Sequence, residues 1–455
     1  MKLFFLILTL CFMHKTVLSQ NEAYISTQKA VADIDYMMKM IEEVHYNPYF
    51  MVSQEQFKQN KEALINEFDQ DSIPLKQFVA TGMKLAAQMS GGHTGMDWQN
   101  AAIIPELKTY QFVPFTGELV EETQQFIVTR SAIPEIKEGT IIESINGISM
   151  PELYQECLSY IGGIASYKNS SCEEKLPLYL FFERKLSAPY SIKLPTSDKE
   201  IETAGIDISG LMMFINQAAV KENYTFRIVE DSIGLISYNS CTDYKVFRKF
   251  LKETFKVIKK EKIGRLIIDI RENAGGNSGL NDLLLSYITQ KAYQQSSGRY
   301  WKVSAEAKLA YKENAYEKDF GKKFMQQYYK TENQSIIESF DEGLTQPKSP
   351  PNYFRGKTCF LIGPNTFSSA NFLADAVKVY QLSTLIGAAT GEYTNDFGEQ
   401  LTFMLPNSGN YISVSSTYDI GANGNPTLFE PVYPDIKVED KVLEFAVDWI
   451  RKKAD

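Results

Sequence analysis

Histidine is scarce in this chain, and its scarcity limits which side chain can act as a catalytic base. The 455 residues include three histidines, His14, His45 and His93. His14 lies in an N-terminal segment that we predict is removed. Neutral imidazole suits proton transfer near neutral pH, so a base of this kind must be His45 or His93. His45 ends a predicted amphipathic helix, whereas His93 follows two glycines on a loop that can approach other segments.

Basic residues are outnumbered, which excludes one class of partner. The chain has 47 Lys and Arg against 56 Asp and Glu, a net charge of −9. No basic cluster offsets this balance, so we predict that the protein does not bind nucleic acid.

Cysteine is also sparse. Of five cysteines, Cys157, Cys172, Cys241 and Cys359 remain after removal of the N-terminal segment. Four are too few for a disulfide framework in a chain of this length, and the pattern leaves open either a Cys157–Cys172 disulfide or buried free thiols. Neither Cys-x-x-Cys nor His-rich spacing indicates a metal, and the sequence predicts no cofactor.

Long apolar runs are absent beyond the N-terminus. Lys2 precedes the run LFFLILTLCFM, and Val17 and Ser19 occupy positions −3 and −1 of a cut after Ser19. The run is too short to span a bilayer and has the features of a secretory signal. We therefore predict a signal peptide over residues 1–19 and export, without a membrane span, to the periplasm or the extracellular space.

Apolar periodicity divides the mature chain into three parts. Residues 20–104 have helical spacing, and residues 105–220 contain short β-like runs around an I-N-G turn followed by a helix. This second part resembles a PDZ-like α+β module that binds peptide ends, with a generic α+β segment as the alternative. Residues 221–455 alternate strands and helices, which predicts an α/β core. Within it, the charged, Tyr- and Gln-rich interval from about 291 to 350 is predicted to be a helical insertion.

Two strand–turn–helix units dominate the third part. RLIIDIR is followed by ENAGGNSG and a helix, and TCFLIG is followed by a turn and a helix from Ser369. Neighbouring parallel strands bring such turns together at their carboxyl ends. Ser368 then lies at a helix N-terminus, where free N–H groups can stabilise an oxyanion. A serine there is either a nucleophile or a helix cap.

Three motifs carry a family resemblance. GGHTG, LIIDIRENAGGN and FLIGPNTFSSANFLADA, in this order and with PVYPDIKV near the end, resemble the C-terminal processing and tricorn-core peptidases. The resemblance spans roughly residues 24–442 and implies a multidomain α/β protein with a β-β-α core of the crotonase and Clp protease type. It implies Ser368 as nucleophile of a serine peptidase, with oxyanion donors from Ser369 and from Gly275-Gly276.

The catalytic base separates two branches of this superfamily. Tail-specific members use a lysine in a G-E-x-T-x-G-K-G stretch, and the corresponding stretch here, GAATGEYTNDFGE, has none. No Lys or Arg occurs between Lys378 and Lys437. Tricorn-like members use a histidine in an x-H-T loop, which His93 matches, although Gly92 stands where tricorn has a serine. The resemblance therefore implies a histidine base.

The acid that orients the histidine is less well defined by the resemblance. In the tricorn-like branch a glutamate lies near the P-D-I signature, which here implies Glu430. Asp419 and Glu392 are the alternatives. The predicted function is an exported serine endopeptidase acting on peptides or proteins. A non-catalytic peptide- or ligand-binding protein on the same scaffold and an esterase with the same triad are the rival functions.

The signal-peptide prediction has a direct test. The exported protein should begin at Gln20 or within a few residues of it, because cleavage follows the small residue Ser19. Intact-mass and N-terminal peptide analysis of secreted material measures this. Recovery of exported protein that still carries Met1 would contradict it.

Overall fold

The computed structural model describes residues 22–89, 91–183, 185–215, 222–230, 232–313, 320–340 and 343–452. The predicted signal peptide lies outside these residues. Among the described segments, no helix is both long and apolar enough to cross a membrane. Cys157, Cys172, Cys241 and Cys359 are all buried, and none of the four is in a disulfide.

The N-terminal part is helical, as its periodicity predicts. Helix α1 begins after Ser26, whose hydroxyl accepts a hydrogen bond from the Lys29 N–H at 3.3 Å, as an N-cap does. The helices bury Met and Ile side chains in one cluster that continues into the next part of the chain. The elements are β1 Tyr24–Ser26, α1 Thr27–Val44, α2 Gln54–Ile65, β2 Ser72–Pro74, α3 Leu75–Ala86, β3 Gly95–Met96 and α4 Ile104–Thr109.

The second part contains two small antiparallel sheets packed against helices. One sheet has the order β4-β5-β6 and the other β10-β9-β7-β8. Helix α6 packs on β4 and on α5. The elements are β4 Phe115–Val120, β5 Gln125–Ser131, β6 Ile141–Ile142, β7 Ser144–Ile145, β8 Ile148–Ser149, α5 Met150–Ser159, α6 Ala165–Leu180, β9 Tyr190–Lys193, β10 Ile201–Thr203 and α7 Ile208–Ile215. The PDZ-like assignment and the boundaries at 104 and 220 stay predictions.

A six-stranded sheet of order β11-β12-β13-β16-β17-β21 organises the third part. β11 is antiparallel to β12, and the remaining neighbours are parallel. Alternate strand residues, such as Ile268 and Ile267, pack against helices on opposite faces. Burial on both faces explains the continuous apolar runs in the sequence. The elements are β11 Tyr224–Glu230, β12 Ile233–Tyr238, α8 Tyr244–Lys260, β13 Arg265–Asp269, α9 Gly279–Ile288, β16 Lys357–Ile362, α12 Ser369–Val379, β17 Thr384–Gly387, β21 Ile436–Lys437 and α13 Val442–Lys452.

The interval from about 291 to 350 is not helical throughout, contrary to the prediction. It contains β14 Ser296–Lys302, α10 Ala305–Glu313, α11 Lys322–Lys330 and β15 Ile336–Phe340. β14 pairs with β15 and also with β20, Thr417–Gly421, more than a hundred residues later in the chain. β20 supplies hydrogen-bond partners to the backbone N–H and C=O groups of β14, and the local sequence does not reveal that pairing.

A hairpin connects the N-terminal part to the core. β18, Gln400–Met404, and β19, Tyr411–Ser415, form a three-stranded sheet with β3. The buried Asp33 carboxylate of α1 accepts hydrogen bonds from the N–H groups of Asn407 and Ser408 at 3.0 and 2.7 Å in the connecting turn. This attachment fixes the strand that directly follows the GGHTG loop.

Candidate active site

Ser368 lies at a strained turn between a strand and a helix. β16 ends at Ile362 and α12 begins at Ser369, with Ser368 between them at φ 51° and ψ −126°. A non-glycine residue in such a conformation costs about 1–3 kcal/mol and persists where its surroundings impose it. Two bonds to the neighbouring turn impose it here. The Thr366 hydroxyl donates to the Ile270 carbonyl at 3.0 Å. The Phe367 N–H donates to the carbonyl of Asn273, also at 3.0 Å.

Gly275, in the turn after β13, touches the Ser368 turn. Its φ is +94°, and a Cβ added there would lie 2.6 Å from the Ser368 Cβ and 2.9 Å from the Ser369 nitrogen. Gly276 follows with φ +129°, and its added Cβ would lie 2.5 Å from the Cys241 carbonyl oxygen. Glycine is therefore required at both positions, because no side chain fits in this conformation and space.

Two N–H groups at this contact can stabilise an oxyanion. No described residue accepts a hydrogen bond from the N–H of Ser369 or of Gly276. The Ser369 hydroxyl donates to the Gly276 carbonyl at 2.5 Å, which links the two donors. The Gly275 N–H, by contrast, donates to Asn273 Oδ1 at 2.9 Å. Of the two glycine N–H groups predicted as donors, that of Gly276 is therefore the one available to an oxyanion.

His93 is positioned by the strand that follows it. β3 pairs with β19, and the Thr94 hydroxyl donates to the Ser415 hydroxyl at 3.2 Å. The His93 carbonyl accepts a bond from Gln400 Nε2 at 2.9 Å, and its ring centroid lies 5.0 Å from that of Phe367, next to Ser368. The distant histidine and serine motifs of the sequence are thus brought together.

Two buried carboxylates face the His93 ring. Its Nε2 lies 3.4 Å from Glu392 Oε1 and 3.3 Å from Asp396 Oδ2. These are ion-pair distances, and neither contact has the geometry of a hydrogen bond, since Nε2 and Oε1 both lack a hydrogen-bond partner. The second oxygen of Glu392, Oε2, accepts the Ser368 N–H at 2.6 Å. Glu392 therefore touches both the predicted nucleophile and the predicted base.

The three ionisable groups have unequal proton affinities. Burial disfavours the charged form of His93, but the negative charge of Asp396, with those of Asp419 and Glu399, outweighs burial and raises the pKa of His93 above its usual value. Burial and the Asp396 carboxylate raise the pKa of Glu392 well above its usual range. Burial by itself would raise the pKa of Asp396, but the interactions with His93 and Glu392 outweigh burial and lower this pKa. The arrangement favours a neutral Glu392 beside an ionised Asp396.

Ser368 and His93 line one open cleft. The cleft, here called the Ser368 cleft, has a volume of about 870 Å³ and is also lined by Gly276, Arg299 and Glu399. That volume accommodates a ligand of several residues. No hydrogen bond joins the Ser368 hydroxyl to any described residue in this structure.

The remaining sequence candidates lie elsewhere or serve the structure. His45 is fully buried and packs against Phe397, with ring centroids 4.9 Å apart. Glu430 is exposed, and its carbonyl accepts the Thr394 N–H at 2.8 Å. Its carboxylate is not among the groups that contact His93. The Asp419 carboxylate accepts a hydrogen bond from Arg299, and it acts on His93 through its charge.

Sequence reasoning missed Asp396. It included Glu392 as an alternative. Both residues lie in TGEYTNDFGE, which contains three acids and no basic residue. Because no basic residue is nearby in sequence, buried acids in this stretch need a cationic partner from a distant segment, and that is the signal that could have indicated Asp396. The same three side chains, His93, Glu392 and Asp396, are also the described group that could hold a metal ion.

Comparisons with known proteins give one family match and several structures of the same fold. Residues 232–438 match the model of peptidase family S41. A serine-to-alanine mutant of CPAF has a TM-score of 0.66 at 13% identity, over 94% of this chain and 95% of that one. Mature CPAF has a TM-score of 0.60 at 15% identity, over 94% and 96%. These crystal structures show the same fold. No curated protein matches the chain.

The glycine contact can be tested with a matched pair of variants. Gly275→Ala should lower the rate of reaction at Ser368 by about 10²-fold, because displacing a reacting group by 1 Å costs that much. Gly139→Ala is the control, since Gly139 has a similar φ of +83° but no atom within 4 Å of its added Cβ. Equal losses in both variants, measured as initial rates alongside thermal unfolding, would show that backbone strain alone is responsible.

Proposed function

We propose that this chain, whose residues 232–438 match peptidase family S41, is an exported serine endopeptidase in which Ser368 is the nucleophile and His93 the general base. One observation carries the proposal. The turn that bears Ser368, two free N–H groups and a histidine backed by carboxylates converge at one cleft, although they come from three distant segments. Such sites are recognised by geometry and not by sequence order.

The proposed reaction uses each group in turn. Ser368 Oγ attacks the peptide carbonyl while His93 takes its proton, and His93 then protonates the leaving amine. The N–H groups of Ser369 and Gly276 stabilise the oxyanion of the tetrahedral intermediate. Water hydrolyses the acyl-enzyme with His93 again as base. The usual contribution of such a donor is about 3–4 kcal/mol of transition-state stabilisation.

Asp396 and Glu392 replace Glu430 in this proposal. The ionised Asp396 stabilises the imidazolium that forms when His93 takes the proton. Glu392 holds the Ser368 N–H by one oxygen and lies beside His93 with the other. Because His93 Nε2 faces the carboxylates, Nδ1 is the nitrogen left to accept the Ser368 proton.

The substrate class follows from the family and from the packing of the second part. A peptidase acts on proteins or peptides. Helix α6 contacts the loops that carry the site: the Ser166 hydroxyl donates to the Thr390 carbonyl at 3.2 Å, and Tyr167 lies 4.8 Å from Phe367 between ring centroids. We propose that the PDZ-like module receives an extended peptide and passes it to the Ser368 cleft.

Covalent labelling tests the nucleophile and the base. A fluorophosphonate probe should label the wild type but not Ser368→Ala. His93→Ala should slow labelling and peptide hydrolysis by about 10²-fold or more, the usual contribution of a positioned base. His45→Ala serves as the matched histidine control and should lower the melting temperature while retaining most of the activity per folded molecule, because His45 is fully buried and its Nδ1 accepts the Asn47 N–H at 3.1 Å.

Two results would contradict the proposal. Equal labelling of wild type and Ser368→Ala would place the nucleophile elsewhere. An unlabelled, inactive wild type would instead favour the non-catalytic binding protein on this scaffold.

The choice of acid has its own test. Asp396→Asn and Glu392→Gln should each lower kcat by about 10-fold or more, because each weakens the stabilisation of imidazolium or the anchor of the Ser368 turn. Glu430→Gln should stay within about twofold, as surface substitutions usually do. Steady-state kinetics of the correctly folded variants determines which acid acts on His93. A large loss in Glu430→Gln with normal activity of the other two would restore Glu430 as the orienting acid.

A further inference from the structure

Three donor atoms at the His93 ring have the spacing of ligands to one metal ion. His93 Nε2 lies 3.4 Å from Glu392 Oε1 and 3.3 Å from Asp396 Oδ2. One ligand atom from each residue lies within 4.8 Å of the others. Zinc bonds nitrogen and carboxylate oxygen at about 2.0–2.2 Å in tetrahedral geometry, which separates neighbouring ligand atoms by about 3.3–3.6 Å. The two distances to His93 match the edges of that tetrahedron.

Two of the three donor atoms are buried and have no hydrogen-bond partner. Glu392 is 4% exposed, and neither its Oε1 nor His93 Nε2 has a hydrogen-bond partner. A buried polar atom without a partner costs about 1–3 kcal/mol, and that cost is removed when a cation binds it. The unpartnered Glu392 Oε1 is directed at His93 Nε2, at the centre of the cluster.

The ligands are held in place by outer contacts. Glu392 is fixed through Oε2 by the Ser368 N–H at 2.6 Å, and the Asp396 backbone pairs with Asp419 at 3.0 and 2.7 Å. His93 is fixed by its carbonyl bond to Gln400. Outer contacts of this kind orient metal ligands and strengthen binding.

An ion can reach the cluster, and a fourth ligand has room. The Ser368 cleft is lined by His93 and Asp396. A second cavity of about 330 Å³ is lined by Glu392 and Asp396, together with Gly91 and Gly92. Either space can hold a water molecule as the fourth ligand of a zinc site with three protein ligands.

The ligand set selects the metal. One imidazole and two carboxylates suit zinc, whereas calcium requires six to eight oxygen ligands and magnesium prefers octahedral oxygen. We propose that His93, Glu392 and Asp396 bind one Zn²⁺ ion, with release of the Glu392 proton to solvent. Bound at His93 Nε2, the ion takes the carboxylates away from the ring and opposes the positive charge that forms when Nδ1 accepts the Ser368 proton, so it reversibly inhibits the enzyme. The inhibition rests on the proposed role of His93 as general base; the binding does not.

The experiment separates binding from catalysis. Metal-free, full-length Ser368→Ala, which keeps all three ligands, is titrated with ZnCl₂ by calorimetry and with CoCl₂ by visible absorption, which reports tetrahedral cobalt. We expect one ion per chain. Adding His93→Ala should abolish binding, and adding Glu392→Gln should weaken it by about 10-fold or more. Adding Glu430→Gln is the matched control, because this acid is exposed and its carboxylate is not among the groups that contact His93. Its zinc affinity should be unchanged.

Activity measurements complete the test. Zinc should inhibit wild-type hydrolysis at the concentrations that saturate Ser368→Ala, and a chelator should restore it. Thermal unfolding verifies that each variant folds, with Asp396→Asn as a second ligand variant if Glu392→Gln does not. Absence of stoichiometric binding in Ser368→Ala, or binding that survives loss of His93, would overturn the site. Zinc binding by an otherwise inactive wild type would leave the site standing while the proposed function fails.

Discussion

The close approach of two turns is the constraint on which this site depends. Parallel pairing of β13 with β16, with Ile267 opposite Cys359, places both turns at the same edge of the sheet. Gly275 then contacts the Ser368 turn so closely that a methyl group would not fit. The strain at Ser368 and the free N–H groups of Ser369 and Gly276 both result from this contact. In the proposed mechanism, the serine at this helix N-terminus has an oxyanion site beside it because the glycine turn lies against it.

A third loop adds the two carboxylates. The chain after β17 packs on the nucleophile turn, where the Gly391 N–H donates to the Thr366 carbonyl at 3.1 Å. It brings Glu392 to the Ser368 N–H and, with Asp396, to His93. Because Glu392 contacts both groups, the position of the serine and the electrostatics of the histidine are coupled through one side chain. The same arrangement places three potential metal ligands together, so in our proposals the groups that serve catalysis are also those that bind zinc.

Local patterns in the sequence predict the elements of the core but not every residue of the site. The apolar runs and glycine turns predict β13, β16, α9 and α12, because these depend on short-range periodicity and on burial between two helical layers. Asp396 escapes prediction since its contact with His93 requires the β18–β19 hairpin and the bridge to Asp419, both long-range pairings. β14 was missed for the same reason. Glu430 was chosen from its place beside a motif, and the structure brings different carboxylates to the histidine.

The most direct test of the account is a crystal structure of the wild-type chain after reaction with a diphenyl phosphonate ester of a peptide. The account predicts a bond from phosphorus to Ser368 Oγ, with the phosphonyl oxygen about 2.7–3.1 Å from the nitrogens of Ser369 and Gly276. It also predicts His93 beside the ester oxygen, with Asp396 at the far side of the ring. An adduct on another residue, or a phosphonyl oxygen directed to solvent away from these two nitrogens, would contradict it.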